Sequence, residues 1–157
     1  MTSNLTVGAL AEDLVASWLE TQNYTVIEKR WHCRWGELDL IAQSHPLSQL
    51  DLPTLAFVEV KARRHHNWDS DGLLAITPQK QAKLWQTAQL FLAEHSDWAD
   101  YPCRFDVALV NYRSLPVRQQ PLSDLKELPT PAIQLGECVP LAGYQFCLHQ
   151  YIQAAFE

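Results

Sequence analysis

Two carboxylates and one ammonium interrupt two short apolar runs, and these are the groups in the chain best suited to chemistry. Asp39 lies in Gly36-Glu37-Leu38-Asp39-Leu40-Ile41, and Glu59 and Lys61 lie in Leu55-Ala56-Phe57-Val58-Glu59-Val60-Lys61. Nineteen residues separate the two acids. Strand-like apolar runs exclude charge from core-facing positions, because an unpaired buried ion is costly. Side chains alternate faces along a strand, so Glu59 and Lys61 point one way while Val58 and Val60 point the other. Two acids and a lysine on the rim of a small sheet could hold a divalent metal and orient a water for phosphodiester cleavage.

The elements that must position these groups are legible from periodicity. Leu10, Leu14, Val15, Trp18 and Leu19 follow helical spacing between Gly8 and Thr21. Glu12 falls at the border of that apolar stripe, from which it could reach the acids or simply remain a helix-flank carboxylate. Tyr24–Trp31, Leu38–Ala42 and Leu55–Ala62 read as strands. Residues 43–54, with His45-Pro46 and Leu52-Pro53, read as an irregular hairpin connection, and 63–76 as a polar loop. Thr77-Pro78 opens a second helix ending near His95, with Leu84, Trp85, Ala88, Phe91 and Leu92 as its buried stripe. Arg104–Val110 is a fourth strand. The order αβββαβ predicts an α/β domain with a mixed central sheet flanked by helices. Five prolines between 114 and 143 predict irregular chain or edge pieces there. Tyr144–Leu148 reads as a short last strand, and 150–156 as a turn or short helix.

Bulk properties narrow the function classes. A length of 157 residues, 47% apolar and 19% charged, predicts one domain with a real core. The chain contains no apolar run long enough to span a membrane and opens without a basic segment and apolar stretch, which predicts a cytoplasmic protein. Cys33, Cys103, Cys138 and Cys147 are scattered without metal-site spacing and are expected as reduced thiols. The net charge of −6 argues against strong nucleic-acid binding. Two local clusters, Lys29 to Arg34 and Lys61 to His66, flank the acids and could touch phosphates in a salt-sensitive way.

Five strings occur in order: Gly8 with Glu12; Gly36-Glu37 with Asp39-Leu40-Ile41; Phe57-Val58-Glu59-Val60-Lys61 with Arg63; Thr77-Pro78 with Lys80; and Arg104-Phe105-Asp106-Val107. Together they resemble the YraN-like family of small bacterial endonucleases, which is similar to archaeal Holliday-junction resolvases and belongs to the PD-(D/E)XK superfamily. The resemblance covers residues 8–111 as a core, with 112–157 as a proline-rich extension of one nuclease-like domain. It implies a restriction-endonuclease-like core with Mg²⁺ or Mn²⁺ at the acids. The hairpin at 43–54 and the segment 112–143 are both longer than that family's pattern, which could alter substrate access or oligomer contacts.

On this reading Asp39 and Glu59 are metal ligands with the Val60 carbonyl as a third oxygen, and Lys61 orients or deprotonates the attacking water. Glu12 is a candidate fourth catalytic group. Lys80, in a first helical turn where a cation opposes the helix dipole, is a candidate phosphate contact, as are Arg63 and Arg64. Glu37 is expected to pair with Arg34 or Lys29, and Asp106 with Arg104 or Lys80. His32, His65 and His66 read as exposed, and Trp31 and Trp35 as packing residues that could also stack on a base. The expected function is metal-dependent hydrolysis of nucleic acid, DNA ahead of RNA and structured or branched DNA in particular. A homodimer would suit two-fold substrates. The competing readings are a non-catalytic nucleic-acid-binding module of the same fold and a protein-interaction or dimerisation protein.

Overall fold

The computed structural model describes residues 6–64, 76–116 and 131–156. Helix α1 spans Val7–Thr21 and begins where the Thr6 hydroxyl accepts the Ala9 N–H at 3.1 Å. It ends at Gln22, and Asn23, with φ of 67°, turns the chain into the first strand. The strands are β1 (Tyr24–Cys33), β2 (Gly36–Ser44), β3 (Leu55–Arg64), β4 (Cys103–Ser114), β5 (Cys138–Leu141) and β6 (Tyr144–Phe156). Helix α2 (Pro78–Glu94) links β3 to β4 and is capped by Thr77, with proline at its first position.

One six-stranded sheet runs in the order β1-β2-β3-β4-β6-β5. Among the named strands of the described residues only β3 and β4 pair in parallel, with α2 as their connection; the other strand pairs are antiparallel. The two helices cover opposite faces. Leu10, Leu14, Val15 and Leu19 of α1 pack on Leu40, Ala42, Ala56, Val58 and Ala108. Leu84, Ala88 and Phe91 of α2 pack on Ile41, Leu55, Phe57, Phe105 and Val107. The mixed α/β class and the order αβββαβ hold for the first 114 residues. Among the described residues no helix is long and apolar enough to cross a membrane.

The C-terminal region departs from expectation. A single thirteen-residue strand, β6, replaces the short strand and terminal turn, and it pairs along nearly all of β4. Two register shifts explain why its pattern misleads: they fall opposite Phe105–Val107 and Leu109–Val110, and Ala154 takes φ of 48°. Alternation over 144–156 is thereby broken, and the polar and alanine residues at 153–155 lie at a bulge. The expectation of four reduced thiols is also corrected. Cys138 and Cys147 are direct cross-strand partners in β5 and β6 and form a disulfide, while Cys33 and Cys103 are free. The polar loop with His65 and His66, and most of the proline-rich stretch, lie outside the described residues.

Candidate active site

The site forms where β2 and β3 part. Their last matched pair is Leu40 with Val58, although β2 extends back to Gly36 and β3 onward to Arg64. One further step of the same register sets Asp39 against Glu59. The Asp39 Oδ2 accepts the Val60 N–H at 2.9 Å, so a side chain closes the fork that backbone pairing leaves open. Alternation also breaks at this point, because Leu38 packs in the α2-side core and Leu40 in the α1-side core. On β1, Arg30 takes φ of 53° beside this stretch. At the start of β2, Gly36 has φ of 155°, and a Cβ there would lie 3.2 Å from the Thr87 hydroxyl of α2. That close approach gives the glycine of the motif a physical reason.

Along β3, Val58, Val60 and Ala62 belong to the α1 face, which sends Glu59, Lys61 and Arg63 to the α2 face. Glu59 is buried, and its Oε1 accepts from both Lys61 Nζ and Lys80 Nζ at 3.0 Å. Lys80 stands in the first turn of α2, so the helix cap that starts α2 also places this cation over the sheet. The structure therefore brings together Asp39, Glu59, Lys61, the Val60 backbone and Lys80.

The electrostatics follow from two acids sharing a partly dry corner. Burial, reinforced by the neighbouring Glu59 charge, pushes the Asp39 carboxyl up to about 8, against the opposing Val60 hydrogen bond. Burial lowers the Lys61 pKa, and the adjacent Lys80 adds to this against the pull of Glu59. For Lys80 burial acts downward, but contacts with Lys61, Glu59 and Asp39 outweigh it and the net shift is upward. Glu12 is raised by burial, partly offset by Arg30, which it binds at 3.1 Å. Glu12 is close enough for its charge to act on Asp39, yet its own carboxylate is engaged by Arg30.

The other expected contacts divide. Arg63 shares the site's face, whereas the Arg64 guanidinium lies 5.6 Å from the centre of the Tyr112 ring on the α1 side. Lys29 binds Asp13 and Arg34 lies over Trp35, so neither cation expected for Glu37 is held by it; Glu37 itself is exposed. Trp31 packs edge-on against Phe91, and Trp35 is exposed. His32 is exposed, its Nδ1 lying 3.3 Å from the Arg30 carbonyl oxygen.

Asp106 is fully buried and bound by Arg104 Nε at 2.9 Å, as expected, and also by the Tyr151 hydroxyl at 2.6 Å and the Ala154 N–H at 3.0 Å. It lies on the α1 face with Val58 and Ala108 and anchors the β6 bulge. Two residues near the site have roles that the sequence reading missed, Arg30 having been read only as part of a basic cluster. Arg30 tethers Glu12 and Asp13 across eighteen and seventeen positions. Asn111, paired with Arg63 on the adjoining strand β4, is buried, and its Oδ1 has no partner among the described residues. Among the described residues no group of three or more His, Cys, Asp or Glu side chains is placed to hold a metal ion.

Residues 11–110 match the uncharacterised protein family UPF0102. The chain belongs to this family. A UPF0102 protein of Acaryochloris marina is 49% identical over 158 residues, covering 98% of this chain and 91% of that protein. Relatives from Trichodesmium erythraeum and Synechocystis sp. are 46% and 42% identical over 164 and 151 residues, covering 99% and 96% of this chain and 91% and 97% of their own. Each bears only the family's designation. The UPF0102 match spans Glu12, Asp39, Glu59, Lys61, Lys80 and Asp106, whereas β6 falls beyond it.

Proposed function

We propose that this UPF0102 chain is a metal-dependent endonuclease that hydrolyses phosphodiester bonds in nucleic acid, DNA in the first instance. The observation that carries the reading is the meeting of Asp39 and Glu59 at the parted strands, with Lys61 and Lys80 both on Glu59. The donor set fits Mg²⁺ or Mn²⁺: Mg²⁺ commonly takes one or two carboxylates and fills its remaining positions with water and substrate oxygens. Asp39 and Glu59 would hold the ion, with the Val60 carbonyl as a further oxygen. Burial first, and then the charge of Glu59, keep Asp39 protonated near neutrality, and a bound cation would offset both.

When bound, such an ion supplies Lewis acidity at the phosphate and a more acidic water. The chain's own groups account for the rest. Lys61, with its lowered pKa, holds or accepts a proton at Nζ beside the attacking water. Lys80 keeps its charge and offsets that of the phosphate, and Arg63 on the same face steadies the neighbouring backbone. The new phosphorus–oxygen bond forms to water as the bond to the 3′-oxygen breaks. Glu12 is held back by Arg30 and takes an accessory place, orienting water at the edge of the site.

A panel of labelled linear, flapped, branched and single-stranded DNA, with matching RNA, tests this in Mg²⁺ and Mn²⁺. Cleavage is expected in the wild type and absent in Asp39→Ala and Glu59→Ala. Equal cleavage by wild type and variants would mark a contaminant and end the reading. Binding without cleavage by any of the proteins would favour a non-catalytic module.

A further inference from the structure

On the α2 face, the row Glu59, Lys61, Arg63 runs from closed to open along β3: Glu59 is buried, Lys61 half-buried and Arg63 exposed. Asn111 stands beside the open end of this row, in register with Arg63, while Val110 and Tyr112 on either side of it pack toward α1. Adjacent strands lie about 4.8 Å apart, so Asn111 and Arg63 are immediate neighbours. Asn111 is only 9% exposed, and its Oδ1 is the one buried side-chain oxygen or nitrogen among the described residues without a hydrogen-bond partner. An empty buried acceptor costs stability and calls for an explanation beyond packing. Its surroundings narrow the answer. Cys147, its partner on β6, is tied to Cys138 and has no proton to give. Of the cations on this face, Lys61 Nζ is held by Glu59, and Arg113 Nε donates to Gln145 Oε1. Arg63 has no ion pair or hydrogen-bonded side-chain partner among the described residues.

We infer that Asn111 is a positioning residue for Arg63. When a phosphate of the nucleic-acid strand arrives at the mouth of the site, the guanidinium folds inward, gives one N–H to Asn111 Oδ1 and turns others toward the phosphate. A guanidinium carries five N–H donors in a planar fork, enough to serve both acceptors at once. Asn111 then holds the fork in one orientation, which spares part of the ordering cost of a long exposed side chain. The empty acceptor of the free protein is the other side of this arrangement: it is filled only when Arg63 is drawn in, so stability is given up for binding. Asn111 acts through Arg63 and touches neither the acids nor the reacting atoms. The inference rests on the proposed function only in taking nucleic acid as the ligand of this face; it does not require that the strand be cut.

Binding of a fluorescein-labelled branched DNA, followed by anisotropy in EDTA at about 50 mM salt, tests it in the full chain. Asn111→Val should weaken binding about three- to tenfold, the contribution of one hydrogen bond, while its urea midpoint rises above wild type. Arg63→Ala should weaken binding as well, and the double variant should match Arg63→Ala to within about twofold, because Asn111 has nothing left to orient. A merely structural Asn111 would give the opposite pattern, a lower midpoint with unchanged affinity while folded, and would overturn the inference. So would losses that simply add in the double variant, since Asn111 would then act without Arg63, or a wild type that binds no DNA. Cleavage of the same DNA in Mg²⁺ separates the two claims: binding with this pattern but no cleavage supports the role of Asn111 and ends the nuclease reading.

Discussion

Replacing Asp39 by asparagine should stabilise the metal-free protein, and the gain should grow with pH. Unfolded, Asp39 releases its proton near the ordinary value of 3.8; folded, it holds the proton up to about 8. Between those values the folded state binds the extra proton. Wild-type stability is therefore full below about pH 4, declines as pH rises to about 8, and levels off above. At ~1.36 kcal/mol per unit, the full shift would correspond to roughly 6 kcal/mol. Asp39 is only partly buried and shares its repulsion with Glu59, so about half of that, ~3 kcal/mol, is the expected loss. Asparagine retains an oxygen for the Val60 N–H but cannot ionise, so it should escape the decline. Urea unfolding followed by tryptophan fluorescence in EDTA, at pH 4.5 to 9, measures the difference. The two proteins should be similar at the acid end, with the variant ahead by ~3 kcal/mol at pH 9. Added Mg²⁺ should then raise the wild type alone. Parallel pH curves, or a variant weaker at pH 8, would refute the reasoning.

Asp106→Ala should cost about 3–5 kcal/mol in urea unfolding, because Arg104 loses its buried counter-charge and Tyr151 and Ala154 lose their acceptor. Its Mn²⁺ affinity while folded should match wild type, since Asp106 faces α1 and Glu59 faces α2. Asn111→Val removes an unpartnered buried carbonyl from a strand and should add about 1 kcal/mol, or roughly 2–4 °C in Tm. A fall of several degrees would reveal a partner for that oxygen. Arg30→Ala should release Glu12 while Lys29 still holds Asp13, lowering Mn²⁺ affinity or cleavage by less than tenfold, an accessory effect beside total loss in Asp39→Ala.

The parts of this fold that follow a single period were legible from the sequence. The α1 stripe, the Thr77-Pro78 start of α2 and the alternation of β3 each depend on local spacing. Glu59 and Lys61 could be assigned to one face for the same reason, and their charge within an apolar run marked them for attention. The long β6 strand was not legible, because bulges break its period and at the bulge the Ala154 backbone N–H turns to Asp106 instead of to a neighbouring strand. The disulfide was hidden because Cys138 and Cys147 come into register only through the β5–β6 pairing. Arg30 and Asn111 owe their importance to neighbours far away in the chain, which no spacing rule reaches. Lys80 was legible by type and place in the helix; its contact with Glu59 depends on how α2 lies on the sheet.

The most direct measurement is Mn²⁺ binding by wild type, Asp39→Ala and Glu59→Gln, read by electron paramagnetic resonance or calorimetry at pH 8. Wild type should bind in a way that either substitution abolishes, with the folded state of each variant confirmed by circular dichroism. Undiminished binding by both variants, or none by wild type at millimolar Mn²⁺, would contradict a cation site at the parted strands.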